Sequence, residues 1–213
     1  PVETATPTPT APPVATPTPI PPFYFYDDFS YAPGAALDIL NGGTGFSNAW
    51  QAASTYAIGS GNLSFGNLPP IGNEVVFTEN NLSTAEAQRP VIFSGLGANG
   101  TTAWLSFLLR PDLNGTSIFW FQVDSMTIGK LGLTDGVYSV AGDNSGPHAS
   151  TAPIVVGQPV FVVVEFQFNA DPNANDTVTV FFDPTPGLPA PDVGGVTITD
   201  FNFSTAVGAV ALF

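Results

Sequence analysis

The chain has no cysteine, one histidine, one methionine and only three Lys or Arg residues among 213. Without thiols it forms no disulfide and builds no thiolate metal site. Three cations against 17 acids leave a formal net charge of −14. That balance excludes nucleic-acid binding, which needs Lys and Arg to displace phosphate counterions. It also excludes attraction to anionic membrane surfaces. No run approaches the ~20 apolar residues of a membrane-spanning helix, so no membrane insertion is expected. So few basic residues leave few sites for trypsin-like proteases, which suits life outside cells. Position 1 is Pro rather than Met. It reads as the start of a processed mature chain or of a truncated one, and a cleaved export signal leaves no trace. The expected location is extracellular or on the cell surface.

What is abundant is equally one-sided. Hydrophobic residues make up 44%, charged residues 9%, with 18 Phe, 22 Gly and 22 Pro. Residues 1–22, PVETATPTPTAPPVATPTPIPP, are nearly all Pro, Thr, Ala and Val. Such a segment has no core to bury and reads as an extended arm or linker. In an extended chain, successive residues direct their N–H and C=O to opposite sides. In Thr6-Pro7-Thr8-Pro9-Thr10 and Thr16-Pro17-Thr18-Pro19 every Thr therefore offers its backbone to one side and every Pro faces the other. The arm can pair along one sheet edge through Thr alone, and its outer side lacks donors to recruit a further strand.

Residues 23–213 read as one domain. Short Val/Phe/Thr/Ile runs punctuated by Gly, Pro and Asn indicate strands and turns, and no stretch sustains a helical period. Short strands are expected at 48–52, 54–58, 61–66 and 74–79, with a helical turn at 83–88. TTAWLSFLLR (101–110) and TSIFWFQVD (116–124) read as a hairpin turning at 111–115. Further strands are expected at 126–132 and 136–141. A second hairpin joins 159–169 to 177–183, and the late strands are 196–203 and 207–213. The fold expected is all-β, a two-sheet antiparallel sandwich.

The pieces Asp27-Asp28-Phe29-Ser30-Tyr31, Gly34, Leu37, Asn41-Gly42-Gly43-Thr44-Gly45-Phe46 and Trp50 resemble the opening of bacterial concanavalin A-like (LamG-like) domains. Trp104-Leu105-Ser106-Phe107-Leu108, Gly157-Gln158-Pro159-Val160-Phe161, Asp176-Thr177-Val178 and Asp183-Pro184 continue the likeness over 23–213. The resemblance implies a jelly-roll sandwich of the kind found in large exported proteins, where such domains bind glycans, adhere or serve as β-modules. One departure is implied as well. These domains usually close on a further strand of the form FDEIRIG, whereas this chain stops at Val210-Ala211-Leu212-Phe213. A strand position would then be vacant for an arm from the next subunit to fill.

Enzymatic chemistry finds little support. Glycan hydrolysis needs two carboxylates about 5–10 Å apart, and the Glu-x-Asp-x-x-Glu strand motif of the superfamily's glycanases is absent. Glu165, with Gln167 on the same face, reads as the polar outer side of a sheet, and Glu74 and Glu79 as solvated strand ends. His148, in Gly146-Pro147-His148-Ala149-Ser150, reads as a loop histidine, with no Gly-x-Ser-x-Gly elbow in the chain. The Gly-rich run at 41–45 has no Lys or helix after it and reads as a tight turn rather than a phosphate loop.

Three binding chemistries remain. Asp171, Asn173, Asn175 and Asp176 crowd oxygen ligands into one hairpin loop, the best candidate for calcium, although Asp and Asn also stabilise turns by themselves. Asp143-Asn144-Ser145 is a shorter cluster, and Asp27-Asp28 are candidates to meet Asn41. Trp50 and Tyr56 are the candidate glycan-stacking rings, because Trp104 and Trp120 lie inside long apolar strands where core packing is expected. Asn-x-Ser/Thr sequons at Asn62, Asn81, Asn99, Asn114, Asn175 and Asn202 are candidate glycosylation sites, as are the arm threonines.

The reading favoured by the sequence is a non-enzymatic, extracellular subunit of a filament or surface layer. Its arm (Thr6, Thr8, Thr10, Val14, Thr16, Thr18, Ile20) would dock on a neighbouring copy by strand exchange. The alternative is a carbohydrate-binding or adhesion module on a Pro/Thr linker. The partners expected are other copies of the chain or glycans. No cofactor is expected apart from candidate calcium.

Overall fold

The computed structural model describes residues 25–77, 87–91, 98–111, 119–123, 126–134, 136–141, 146–201 and 209–212, with backbone alone over 119–134 and 209–212. The arm, and with it every arm residue named above, lies outside the described residues, as do Glu79, the 143–145 cluster and the sequons at Asn81, Asn114 and Asn202. Among the described residues the structure is all-β, and no helix is present that is long and apolar enough to cross a membrane.

Among the described residues thirteen strands form antiparallel sheets. They are β1 (Gln51–Ala52), β2 (Tyr56–Ile58), β3 (Val75–Phe77), β4 (Ala87–Pro90), β5 (Thr102–Leu109), β6 (Phe119–Val123), β7 (Met126–Thr134), β8 (Val137–Val140), β9 (His148–Pro153), β10 (Val160–Gln167), β11 (Asp176–Phe182), β12 (Val196–Phe201) and β13 (Ala209–Leu212). One sheet runs β1-β4-β13-β6-β7-β8-β9, a second β12-β11-β10-β5, and β2 pairs with β3 alone.

The sequence of β10 shows why the layers form. VFVVVEFQ alternates strictly: Val160, Val162, Val164 and Phe166 are buried, while Phe161, Val163 and Glu165 are half-buried and Gln167 is exposed. β-branched and aromatic side chains suit a pleated surface with one face packed, and each buried Val or Phe contributes about 1.5–3 kcal/mol. β11 repeats the alternation with Val178, Val180 and Phe182 inward. These side chains share one core with Ala103, Ile198 and Phe201 and, from the seven-stranded layer, Val91, Tyr138 and Val140. Tyr138 of β8 stacks on Phe182 of β11 with ring centroids 5.0 Å apart. The two large sheets therefore bury apolar faces against each other in a sandwich-like arrangement. A second core gathers Leu37, Trp50, Tyr56, Ile58 and Ala87 beside the β2–β3 pair.

Three expectations need correction. Segments 101–110 and 116–124 are not a hairpin. β5 pairs with β10 in the four-stranded sheet, whereas β6 pairs with β13 and β7 in the other. A proline- and glycine-bearing connection marks a reversal equally well within a sheet or between sheets. Segment 61–66 is mostly irregular, with a lone bridge between Phe65 and Leu68. Residues 87–88 belong to strand β4, not to a helical turn. The last strand, β13, lies between β4 and β6 and pairs with both.

Candidate functional site

The outward face of the four-stranded sheet gathers polar and aromatic side chains that are exposed or half-buried, with Phe65 packed on Phe161 at one end. Register places Trp104 (β5) opposite Glu165 (β10), Glu165 opposite Thr179 (β11), and Thr179 opposite Thr197 (β12). One row thus crosses all four strands. The neighbouring row is Ser106, Val163 and Phe181, and on the other side lie Thr102, Gln167 and Thr177. Trp104 is 50% exposed, although it sits in an otherwise apolar strand. Its ring stacks against Phe181 at 6.4 Å between centroids and 26° between planes. β5 and β11 flank β10, so the two rings meet over the middle strand. Gly195 makes room for this, since a Cβ there would strike Thr179 and the Phe181 ring. Thr179 and Thr197 share a hydroxyl–hydroxyl hydrogen bond of 3.1 Å.

This face joins an exposed indole to a carboxylate, an amide and several hydroxyls. An aromatic face packs against apolar C–H surface, while the surrounding groups accept and donate hydrogen bonds. Glu165 is the one carboxylate among the outward positions of β5, β10 and β11, because Asp176 points inward and is buried.

No family model, curated protein or solved structure matches this chain.

The residues singled out for stacking are placed elsewhere. Trp50 and Tyr56 are 3% and 4% exposed, and both belong to the second core. They are corrected from candidate sugar platforms to packing residues, and Trp104, expected in the core, takes the exposed position. Trp50 packs near Phe29 and Phe46 and donates its indole N–H to Asp27.

Trp50 belongs to a closed polar node centred on Arg89 of β4. Arg89 is 1% exposed. Its Nη1 donates to Asp27 Oδ2 at 2.6 Å, its Nη2 to Asn41 Oδ1 at 2.8 Å and to Gly42 O at 2.7 Å, and its Nε to Asn48 O at 2.9 Å. Asp27 Oδ2 also accepts from Tyr31 Oη at 2.8 Å and Trp50 Nε1 at 3.0 Å, and its Oδ1 accepts the Phe29 amide. The guanidinium lies 4.1 Å from the Phe46 ring centroid. Burial raises the Tyr31 phenol above its ordinary range, with the Asp27 hydrogen bond adding to the shift. Gly43 sits at φ +70 where a Cβ would collide with the Tyr26 carbonyl, which explains the glycine in the turn. Asp27 and Asn41 therefore do meet, as proposed for them, but around an arginine that sequence reasoning missed. The node is saturated and closed, and its place is structural.

The 169–176 loop uses its oxygens on itself. Asp171 Oδ1 accepts from the Asn173 backbone and side chain, Asn169 Oδ1 accepts the Asp171 amide, and Asp176 Oδ1 accepts the Asn169 amide at 2.6 Å. Asn175 contributes its backbone carbonyl to Asn169 Nδ2. The four candidate calcium residues are thus brought together, but as side-chain-capped turns. No cluster of three or more His, Asp or Glu side chains arises among the described residues. Glu74 pairs with Arg110 at 3.0 Å. His148 is exposed at the start of β9, and the sequon residues Asn62, Asn99 and Asn175 are exposed on loops or turns.

Proposed function

We propose that this chain is a non-enzymatic, extracellular module of concanavalin A-like jelly-roll type that binds carbohydrate on the outer face of its four-stranded sheet. Residues 1–22 serve as a Pro/Thr tether. The observation carrying this reading is Trp104, half exposed on the outer face of the sheet, stacked on Phe181 and set in one row with Glu165, Thr179 and Thr197. A pyranose ring has an apolar C–H face and a rim of hydroxyls, and this row offers a complement to both. Glu165 is the one carboxylate at the outward positions of β5, β10 and β11, while Asp200 of β12 has its carboxylate oxygens buried. Hydrolysis uses two carboxylates facing the sugar, so the arrangement favours binding.

Affinity electrophoresis through gels containing soluble polysaccharides tests it. At least one neutral or amino-sugar polymer should retard the protein, and Trp104→Ala should weaken that by about tenfold or more without lowering Tm. Retardation by none of them, or retardation indifferent to Trp104→Ala, overturns the reading.

A second reading is favoured by a different observation. Among the described residues β5 and β12 have sheet partners on one side only, so each presents a backbone edge. The Thr/Pro arm of a second copy has the chemistry to cap such an edge, and repeated addition without closure builds a filament. Electron microscopy of the full chain beside Thr8→Pro tests this: filaments lost in the variant support strand exchange, and monomers from both exclude it.

A further inference from the structure

We infer that the Trp104–Glu165 pair recognises a protonated amine, so that the carbohydrate bound on this face is a glucosamine-type polymer carrying free amino groups. This rests on the reading of the face as a carbohydrate platform.

Charge carries the inference. The chain has three basic residues. Arg89 is locked in its buried node with Asp27, and Arg110 is paired with Glu74. Lys130 belongs to β7, in the other large sheet. None lies on β5, β10, β11 or β12, so a uronate or sulfated chain would find no counter-charge there and would meet a protein of net charge −14. An acidic polysaccharide is thereby disfavoured at every range of the field.

Glu165 adds a local argument. It is half-buried on β10, and no hydrogen bond or ion pair engages its carboxylate among the described residues. Directly opposite stands an exposed indole. Side chains opposite each other on adjacent antiparallel strands have Cβ atoms about 4.5–5.5 Å apart. An ammonium group seated between them gains both a carboxylate partner and the negative face of a tryptophan, the best aromatic partner for a cation. A neutral hexose would use the ring and leave the carboxylate with hydroxyl donors alone.

The rest of the face distinguishes an amino sugar from a simple polyamine. Thr102, Gln167 and Thr177 on one side of the pair, with Thr179 and Thr197 along its row, surround the cation site with hydroxyl and amide groups. A polyamine or a lysine side chain can donate to them but brings no acceptor for their O–H and N–H groups and no pyranose C–H face for the indole. A sugar carrying one amine and several hydroxyls matches the whole set. The row crosses four strands, which suits an extended chain rather than a single terminal residue.

Isothermal titration of the full chain near pH 6 and at low salt tests this. The probes are short glucosamine oligomers, the same oligomers fully N-acetylated, glucose oligomers of equal length, and polylysine as a charge-only control. The inference expects the free-amine oligomer to bind at least about tenfold more tightly than either neutral one. Glu165→Gln should erase that preference, bringing the free-amine oligomer down to the level of the neutral ones, whose own affinity falls by less because they lose only hydroxyl contacts to the carboxylate, and Trp104→Ala should weaken all sugars. Since Glu165 is outward-facing, its replacement is expected to leave Tm unchanged. Neutral oligomers binding as well as the free amine, with sensitivity to Trp104→Ala, overturns the amine inference and leaves carbohydrate binding standing. Polylysine binding as tightly as the glucosamine oligomer, indifferent to Trp104→Ala, also overturns it. No sugar binding at all removes both.

Discussion

At the scale of single residues, Arg89 shows how a scarce charge is used. It is buried with Asp27 and satisfied by backbone and side-chain acceptors from the segment 41–48. Removing one member of such a pair leaves the other charge buried and unpartnered, which costs about 3–5 kcal/mol. Arg89→Met should therefore lower Tm by roughly 10 °C for a domain of this size, read by thermal denaturation. Arg89→Lys should recover little, because an ammonium cannot serve Asp27, Asn41, Gly42 and Asn48 at once. A Tm unchanged in Arg89→Met would mean that the node adds nothing to folding. Tyr138 makes a second prediction. Burial raises its phenol from 10.0 to about 12, with Asp183 adding to the shift. The unfolded chain loses this proton near the ordinary value and the folded chain keeps it. Stability is thus fully present below about pH 10 and is lost as pH rises through about 12, at about 1.4 kcal/mol per pH unit for one proton. Urea midpoints measured through this window should fall less steeply in Tyr138→Phe than in the parent, and parallel curves would assign the alkaline loss to other groups.

At the scale of elements, the four-stranded sheet is both the most legible part of the fold and the place where the site was misjudged. β10 and β11 alternate cleanly, and their hairpin, with the polar outward Glu165 and Gln167, follows from that pattern. β5 follows the same rule less visibly. In TAWLSFLL the outward positions hold Trp104 and Leu108 beside Thr102 and Ser106, so large apolar side chains stand on both faces and the alternation is blurred. Which face is covered is decided by distant segments, and a local pattern carries no record of them. Trp50 was misjudged for the converse reason: it lies in a loop-rich stretch, yet Asp27, Phe29 and Phe46 close over it. Arg89 offered one signal, its rarity inside an apolar stretch, while its partners lie 41 to 62 residues away in the chain. Gly195 tests how far the elements depend on each other. A Cβ at this position meets Thr179 and Phe181, and overpacking costs about 1–3 kcal/mol. Gly195→Ala should push Phe181 from beneath Trp104 and weaken sugar binding more than it lowers Tm. Binding that stays unchanged would show that the Trp104 ring needs no support from β11.

For the whole molecule the deciding quantity is the net charge of −14. Two of the three cations are engaged in ion pairs, so little positive charge is left to offset the acids. Copies of such a molecule repel one another. At about 10 mM salt that repulsion reaches ~30 Å, and at about 150 mM it reaches ~8 Å. Association between copies should therefore strengthen with salt over this range. Binding of a free-amine polysaccharide is driven by the opposite sign of the same field and should weaken with salt, whereas neutral-sugar binding should barely move. Sedimentation velocity of the protein alone, run beside titration with glucosamine oligomers at both salts, separates these contacts by sign rather than by size. Self-association that rises with salt, together with sugar affinity that falls, would mean that the same negative field opposes one contact and favours the other. Sugar affinity indifferent to salt would place the sugar against Trp104 without help from Glu165.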